Sequence, residues 1–353
     1  MKKLITILCL VTGVAFAQTV YNTDTVTRTL SDGSVVTEVY QLTYVNGKLT
    51  ARTLLTSTTI SGPTISPESN RTSVAIKQSA ALSRGLTGLG STILIMDSGI
   101  DVNHPDLAGK IKYSIDYTKT GIQDTVGHGT HVAGIAAANL NGTGIYGVAP
   151  DAKLAIAKIT NTTSSSMGNA QAALKWAQQY DDIVVANLSS TVAYSNTYIS
   201  SVYKLSDGTY YSNDKTYGGT WYYNRETPQA WANVLGKEMV LVVAAGNSAL
   251  PYVSNPATFA SATDSTGKLI LNGQMIIAGN WNSTSNTITG QTAGHVCKVM
   301  LNNVCKDTYR NSDFYLLAPG VAINSTYLNG TYKEMSGSSM AAPAISGAVA
   351  VVH

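Results

Sequence analysis

The sequence predicts an α/β fold in which a parallel β-sheet is covered by helices on both faces. Five apolar runs have the length of buried strands, at 92–96, 154–159, 183–186, 239–244 and 274–278. Between the second and third runs, apolar residues recur at helical spacing: Ala170, Ala173, Leu174, Ala177 and Tyr180. Continuous apolar strands that alternate with helices are typical of parallel sheets buried on both sides.

Residues 1–17 have the features of a Sec signal peptide. Lys2 and Lys3 precede an apolar run at 4–16, and the small residues Ala15 and Ala17 predict cleavage before Gln18. The run is shorter than the roughly 20 residues that a membrane span needs. We therefore expect export to a secreted or cell-surface location, with no membrane span in this chain beyond the signal peptide.

Residues 18–75 form a predicted β-rich leader that ends in a linker. Apolar and polar residues alternate over 35–45, and Asn46-Gly47 is a hairpin signal. Residues 61–70 are rich in Gly, Pro, Ser and Asn, which break regular structure. The leader is either a pro-segment or a spacer. A helix is predicted over about 73–83, and residues 76–353 form the main predicted domain.

Charge and cysteine content exclude some classes of function. The formal charge is +3 and falls to +1 when Lys2 and Lys3 are removed with the signal peptide, so no basic surface for nucleic acid or anionic lipid is predicted. The remaining cysteines, Cys297 and Cys305, lie close in sequence in an exported chain. We expect a disulfide between them, with two buried free thiols as the alternative.

Several polar residues follow predicted strands directly. Asp97 follows the strand 92–96, Ser189 follows the strand near 183–186, and Asn247 follows 239–244. Because the carboxyl ends of parallel strands meet at one edge of a sheet, where ligands bind, these residues are expected to gather there. His128, at the start of a glycine-rich helix extending through 138, reaches the same edge.

A further candidate is Ser339, which lies where Gly337 and Ser338 lead into an alanine-rich helix. A serine hydroxyl needs a base and a group that orients the base before it can attack a carbonyl carbon. Ser339, His128 and Asp97 supply this set, and the Ser339 N–H and the Asn247 amide can stabilise an oxyanion.

Each of these residues also has a purely structural interpretation. Ser339 is a plausible helix cap, Asp97 a solvated turn carboxylate, and Asn247 a left-handed turn residue. His128 and His131 could form half of a metal site, but a zinc peptidase motif needs a glutamate and four-residue spacing. The combination of all four residues, each beside a small-residue motif, favours catalysis.

The order Asp, His, Ser and the surrounding motifs resemble those of subtilisin-like serine peptidases. The matching segments are Asp97-Ser98-Gly99-Ile100-Asp101, His104-Pro105-Asp106-Leu107, Gly127-His128-Gly129-Thr130-His131-Val132-Ala133-Gly134, Gly147-Val148-Ala149-Pro150, Ala244-Ala245-Gly246-Asn247, Leu317-Ala318-Pro319-Gly320-Val321 and Gly337-Ser338-Ser339-Met340-Ala341-Ala342-Pro343.

This resemblance implies the α/β fold of the family and endopeptidase activity on protein or peptide substrates. It implies that Ser339 is the nucleophile, His128 the general base, Asp97 its orienting group and Asn247 the oxyanion donor. It also implies that the backbone around Ser189 lines the substrate pocket. No cofactor is required for the chemistry, although Asp106 and the loop containing Asn141 match positions that bind structural calcium in some members.

The chain also departs from the family pattern. Ser189-Ser190-Thr191 lacks a glycine pair, and a long Tyr-rich excursion occupies 191–235, with a shorter one at 282–313. The chain stops at His353 within a predicted helix, so we expect the natural protein to continue. These features resemble subtilisin-like passengers of bacterial autotransporters. The alternative function is a surface-displayed binding or adhesive protein built on a peptidase scaffold.

Overall fold

The computed structural model describes most of the chain outside its N-terminus and several surface segments. The described residues are 19–29, 35–45, 48–60, 72, 75–76, 78–162, 166–191, 202–204, 210–212, 228–236, 238–247, 253, 256–262, 264, 266–289, 299–301, 304–307 and 311–353. They fall into two units, Met1–Thr64 and Ile65–His353. The predicted signal peptide lies outside the described residues.

The first unit contains a three-stranded antiparallel sheet. Its strands are β1 (Thr19–Thr29), β2 (Val35–Val45) and β3 (Lys48–Ile60), paired in the order β1-β2-β3. Val45 pairs with Lys48, as expected for a tight hairpin at the predicted Asn46-Gly47 turn, although the two turn residues themselves are not described. Alternation of apolar and polar residues in the sequence therefore correctly predicted a β-rich segment.

The second unit is built on an eight-stranded sheet. Its strands are β4 (Thr92–Asp97), β5 (Ile111–Asp116), β6 (Lys153–Lys158), β7 (Ile183–Leu188), β10 (Val240–Ala244), β11 (Met275–Asn282), β12 (Thr287–Ile288) and β15 (Tyr315–Pro319). The order is β12-β11-β10-β7-β4-β6-β5, and β15 also pairs with β11. All pairings are parallel except that of β11 with β12.

Shorter strands complete the described part of this unit. They are β8 (Val202–Lys204), β9 (Tyr210–Ser212), β13 (Val299–Leu301), β14 (Val304–Asp307), β16 (Ile323–Thr326) and β17 (Tyr332–Met335). β8 pairs with β9 and β13 with β14, within the two predicted excursions. Most of the 191–235 excursion and Cys297 lie outside the described residues, as does the predicted disulfide.

Helices cover both faces of the sheet, as the fold class predicted. They are α1 (Gln78–Leu82), α2 (His128–Ala137), α3 (Met167–Ala177), α4 (Pro228–Leu235) and α5 (Ser338–Val352). Consecutive residues of β4 enter opposite cores. Ile93 and Ile95 pack with α2 and α5 on one face, whereas Leu94 and Met96 pack with α3 and α4 on the other.

The sequence missed β5, which is not an uninterrupted apolar run, and β15, whose short apolar run ends in a proline. The β5 sequence Ile-Lys-Tyr-Ser-Ile-Asp alternates, and its side chains are only partly buried because it lies at the edge of the sheet. None of the helices in the described part of the chain has the length and hydrophobicity needed to cross a membrane.

Candidate active site

Asp97 and His128 form a hydrogen-bonded pair at the carboxyl edge of the sheet. Asp97 is the last residue of β4, and His128 is the first residue of α2. The Nδ1 atom of His128 lies 2.8 and 2.9 Å from the two carboxylate oxygens of Asp97. A carboxylate can only accept, so Nδ1 carries the proton and Nε2 keeps its lone pair as a base.

Glycine residues allow α2 to begin this close to β4. Gly127 precedes the helix with a φ of 91°, in the left-handed region that favours glycine. A Cβ atom at Gly129 would lie 2.2 Å from the carbonyl oxygen of Gly99. A larger residue at either position would push the imidazole away from Asp97, which explains the Gly-His-Gly sequence in physical terms.

Nearby carboxylates make the imidazole of His128 more basic. Burial lowers the pKa of His128, but the negative charge of Asp97, its hydrogen bond and the charge of Asp124 together raise the pKa above the usual histidine value. An imidazolium that forms during a reaction would be stabilised by these carboxylates.

His131 has a different environment from His128. Its Nε2 atom lies 3.1 Å from the Ile323 carbonyl oxygen and 2.9 Å from that of Lys333, so it serves as a donor to the β16–β17 hairpin. Burial lowers the pKa of His131 to about 4. Among the described residues, no group of three or more His, Cys, Asp or Glu side chains could hold a metal. His131 therefore has a structural role in linking α2 to the hairpin.

Ser339 is in the first turn of α5 and contacts the end of β7. Its Oγ atom donates a hydrogen bond of 2.9 Å to the carbonyl oxygen of Ser189. In return, Ser189 Oγ donates to the Ser339 carbonyl oxygen at 2.8 Å. That carbonyl lacks its usual helical partner because Pro343, four residues later, has no N–H. Because of this proline, the Ser339 carbonyl oxygen is free to accept the hydrogen bond from Ser189 Oγ, and this bond fixes Ser339 against Ser189.

A buried polar chain continues behind Ser189. The Asn187 Nδ2 atom donates to Ser189 Oγ at 2.9 Å, and Ser346 Oγ donates to Asn187 Oδ1 at 3.0 Å. Asn187 and Ser346 are fully buried, so these bonds are shielded from competing water. They tie the middle of α5 to β7 and hold the helix that carries Ser339.

Asn247 is held by Ser338, the residue before Ser339. Its Oδ1 atom accepts hydrogen bonds from the backbone N–H of Ser338 at 2.8 Å and from Ser338 Oγ at 2.9 Å. The Ser338 hydroxyl is itself held by the Gly246 N–H at 3.2 Å. Since a backbone N–H must meet an acceptor, Oδ1 is the atom directed towards Ser338 and Nδ2 is left to donate to a ligand.

These residues line a single cleft of about 190 Å³. Its walls are Asp97, His128, Thr160, Thr162, Ser189, Ser190, Thr191, Asn247 and Ser339. The structure therefore brings together all five of the residues predicted for catalysis and substrate binding. Thr160 and Thr162 follow β6, which sequence reasoning did not connect with the site.

A comparison with known proteins identifies the family that these features belong to. The model of the subtilase peptidase family matches residues 88–353. The chain belongs to the subtilase family. The match includes Asp97, His128, Asn247 and Ser339.

Individual relatives of this subtilase are about 30% identical to it. It is 30% identical over 278 residues to the alkaline protease of Alkalihalobacillus alcalophilus, covering 78% of this chain and 57% of that protein. It is equally similar over 278 residues to subtilisin Savinase of Lederbergia lenta, covering 81% of that protein. Subtilisin E of Bacillus subtilis is 29% identical over 279 residues, with 59% of its length covered.

Asp106 and Asn141, the predicted calcium ligands of this subtilase, are in contact but do not fit a calcium site. Asn141 Nδ2 donates to Asp106 Oδ1 at 3.1 Å, and the Thr143 N–H holds the Asn141 oxygen at 3.0 Å. Asp106 Oδ2 accepts from the Ile145 N–H at 2.9 Å and from the Tyr332 hydroxyl at 2.8 Å. Calcium needs six to eight oxygen ligands, whereas hydrogen-bond donors surround this carboxylate.

We expect Tyr332, rather than calcium, to hold the 139–145 loop. Tyr332→Phe should lower the Tm by about 2–4 °C, because a buried carboxylate loses a donor worth about 1 kcal/mol. Tyr327→Phe is the control, since its hydroxyl bonds only a carbonyl oxygen and the Lys333 amine in the same hairpin.

Differential scanning calorimetry should give the unaltered protein equal Tm values in EDTA and in calcium. A lower Tm in EDTA would show that calcium stabilises the loop.

Sequence reasoning missed the residues that support the site through hydrogen bonds to the residues that line the cleft. The sequence predicts only a turn at Ser338, yet its hydroxyl also orients Asn247. Asn187 and Ser346 are polar residues within an apolar strand and an apolar helix. Such residues are buried at a cost unless they are paired, and this is the signal that could have identified them.

Proposed function

We propose that this chain is an exported serine endopeptidase that hydrolyses protein or peptide substrates through an acyl-enzyme on Ser339. The observation that carries the proposal is the convergence of Asp97, His128, Asn247 and Ser339 on one cleft. Membership of the subtilase family supports the reaction type. The chain spans 57% of the alkaline protease that it matches, and the substrates of the whole protein are part of the proposal.

In the proposed acylation step, His128 acts as the general base. In this step the Ser339 hydroxyl exchanges its hydrogen bond to the Ser189 carbonyl oxygen for one to His128 Nε2. Ser339 Oγ then attacks the substrate carbonyl carbon while Nε2 takes the proton. The Asp97 carboxylate stabilises the imidazolium through the bond at Nδ1.

Negative charge on the substrate oxygen is stabilised by donors that are already oriented. Nδ2 of Asn247 and the N–H of Ser339, at the start of α5, are the proposed pair. His128 next gives its proton to the leaving amine. A water molecule, activated by the same imidazole, hydrolyses the ester and returns Ser339 to its original state.

A fluorophosphonate probe tests the nucleophile directly. We expect one equivalent of covalent label per chain, and peptide mass spectrometry should place it on Ser339, because this hydroxyl lies in the cleft that also contains the proposed base His128. Ser83→Ala is the control and should still be labelled, because the Ser83 hydroxyl lies outside the cleft and donates to the Ala80 carbonyl oxygen. Labelling that persists in Ser339→Ala would contradict the assignment.

Casein hydrolysis distinguishes this proposal from the alternative of a surface-displayed binding protein. The peptidase should degrade casein, and His128→Ala should abolish this activity without affecting the fold. A folded protein that binds casein but leaves it intact would favour the alternative. Export rests on the predicted signal peptide at residues 1–17, and the resemblance to an autotransporter passenger stays a prediction.

A further inference from the structure

Asp124 is a buried carboxylate that belongs to neither the predicted catalytic set nor the cleft. It is 3% exposed and lies in the loop between β5 and α2. Its Oδ1 atom accepts hydrogen bonds of 2.9 Å each from Ser98 Oγ and from the N–H groups of Val126 and Gly127. Its Oδ2 atom accepts from the Thr130 N–H at 2.9 Å and from Thr130 Oγ1 at 2.7 Å. Five donors thus converge on one side chain.

These bonds connect the two elements that carry Asp97 and His128. Ser98 directly follows Asp97, and its Oγ atom both donates to Asp124 and accepts from the Gly129 N–H at 2.9 Å. Thr130 Oγ1 both donates to Asp124 and accepts from the Asp101 N–H at 2.9 Å. The segments that follow β4 and begin α2 are therefore held to each other through the Asp124 carboxylate.

Asp124 also takes the place of a helix cap. The residue before α2 is Gly127, which has no side chain to bond the free N–H groups of the first turn. Asp124 accepts the Thr130 N–H instead, and its negative charge lies at the positive end of the helix dipole. Hydrogen bonds to Asp124, a residue outside the helix, therefore fix the start of α2 and the His128 ring.

The charge of Asp124 acts on His128 in the same direction as that of Asp97. The other ionisable groups around them are the buried Asp101 after β4, His131 on α2, Lys333 on β17 and the buried Lys158 on β6. Burial keeps His131 neutral at ordinary pH, and Lys333 lies beside His131. The Lys158 amine donates to the Gln123 carbonyl oxygen at 2.6 Å, which anchors the residue before Asp124.

We infer that Asp124 is a positioning residue for the Asp97–His128 pair. It fixes the imidazole relative to Asp97 and adds a second negative charge that favours the imidazolium. It acts through His128 and has no contact with a substrate. The inference rests on the proposed function only for its effect on turnover, since the effect on His128 itself can be measured without activity.

Asp124→Asn tests both parts of the inference. The amide keeps the size of the side chain but removes the charge and turns one acceptor into a donor that faces other donors. With a chromogenic peptide substrate, we expect kcat to fall about 10- to 100-fold with little change in KM. The acid limb of the pH profile should move to lower pH, because loss of a negative charge lowers the pKa of His128.

Asp116→Asn is the matched control. Asp116 also accepts several bonds at a loop, from the N–H groups of Thr118, Thr120 and Gly121 and from Thr118 Oγ1, and all of its partners lie within 118–121. This variant should keep the kcat and the pH profile of the unaltered protein. Equal losses in the two variants, or a loss in Asp124→Asn with an unmoved acid limb, would reduce Asp124 to a general structural role and overturn the inference.

Ser98→Ala provides a second variant if Asp124→Asn does not fold. It removes the link between the two segments but keeps both carboxylates, so kcat should fall several-fold while the acid limb stays in place. An unchanged kcat would overturn the positioning role.

Histidine NMR titration in a Ser339→Ala background separates this inference from the proposed function. Adding Asp124→Asn should lower the pKa of His128, and adding Asp116→Asn should not. If the pKa falls but the unaltered protein has no peptidase activity, the proposed function fails and the inference about His128 stands. If the pKa does not change, the inference fails whatever the activity.

Discussion

Alanine at Ser339 or His128 is expected to reduce kcat by about 10⁶-fold, the magnitude known from removal of the corresponding groups of subtilisin. Ser339→Ala removes the nucleophile, and His128→Ala leaves a hydroxyl that keeps its proton and its hydrogen bond to Ser189. Initial rates on a peptide p-nitroanilide, with active-site titration of the parent, would measure the loss.

The double variant makes this prediction sharper. Because the two groups act in one step, Ser339→Ala combined with His128→Ala should be no slower than the worse single variant. Losses that multiply would mean that the residues act independently and would contradict the proposed proton transfer. Asn139→Ala is a suitable control, since Asn139 is on the Asp106 side of α2, where its amide bonds the Ala108 carbonyl oxygen.

The edge of the sheet at which the site forms was predictable from the sequence. Asp97, Ser189 and Asn247 each follow an uninterrupted apolar strand, and parallel strands place their carboxyl ends together. The register confirms this for β4, β7 and β10, which are neighbours in the sheet. The single rule that ligands bind at this edge therefore gave the location of the cleft.

The supporting hydrogen bonds were not predictable in the same way. Each of these bonds joins residues that lie far apart along the chain. Asp124 bonds Ser98 across 26 residues, Ser338 bonds Asn247 across 91, and Asn187 bonds Ser346 across 159. Local pattern contains no information about such pairings. Edge strands such as β5 were missed for a related reason, since their partial burial depends on neighbours that the sequence does not name.

Asn247 offers the second large expected effect. Asn247→Ala should lower kcat by about 10²- to 10³-fold with KM nearly unchanged, a magnitude known from the corresponding asparagine of subtilisin. The reason is that Nδ2 meets the substrate oxygen only when negative charge develops there, so its loss affects the transition state and not the bound substrate.

Asn247→Asp separates this role from the structural role of the same side chain. Aspartate keeps an oxygen for the N–H and hydroxyl of Ser338, so the fold around Gly337 should be preserved. It replaces the donor by a negative charge facing the oxyanion, so kcat should fall at least as far as in Asn247→Ala. If Asn247→Asp retained the kcat of the parent, Asn247 would serve only to hold Ser338, and stabilisation of the oxyanion would have to come from the N–H of Ser339.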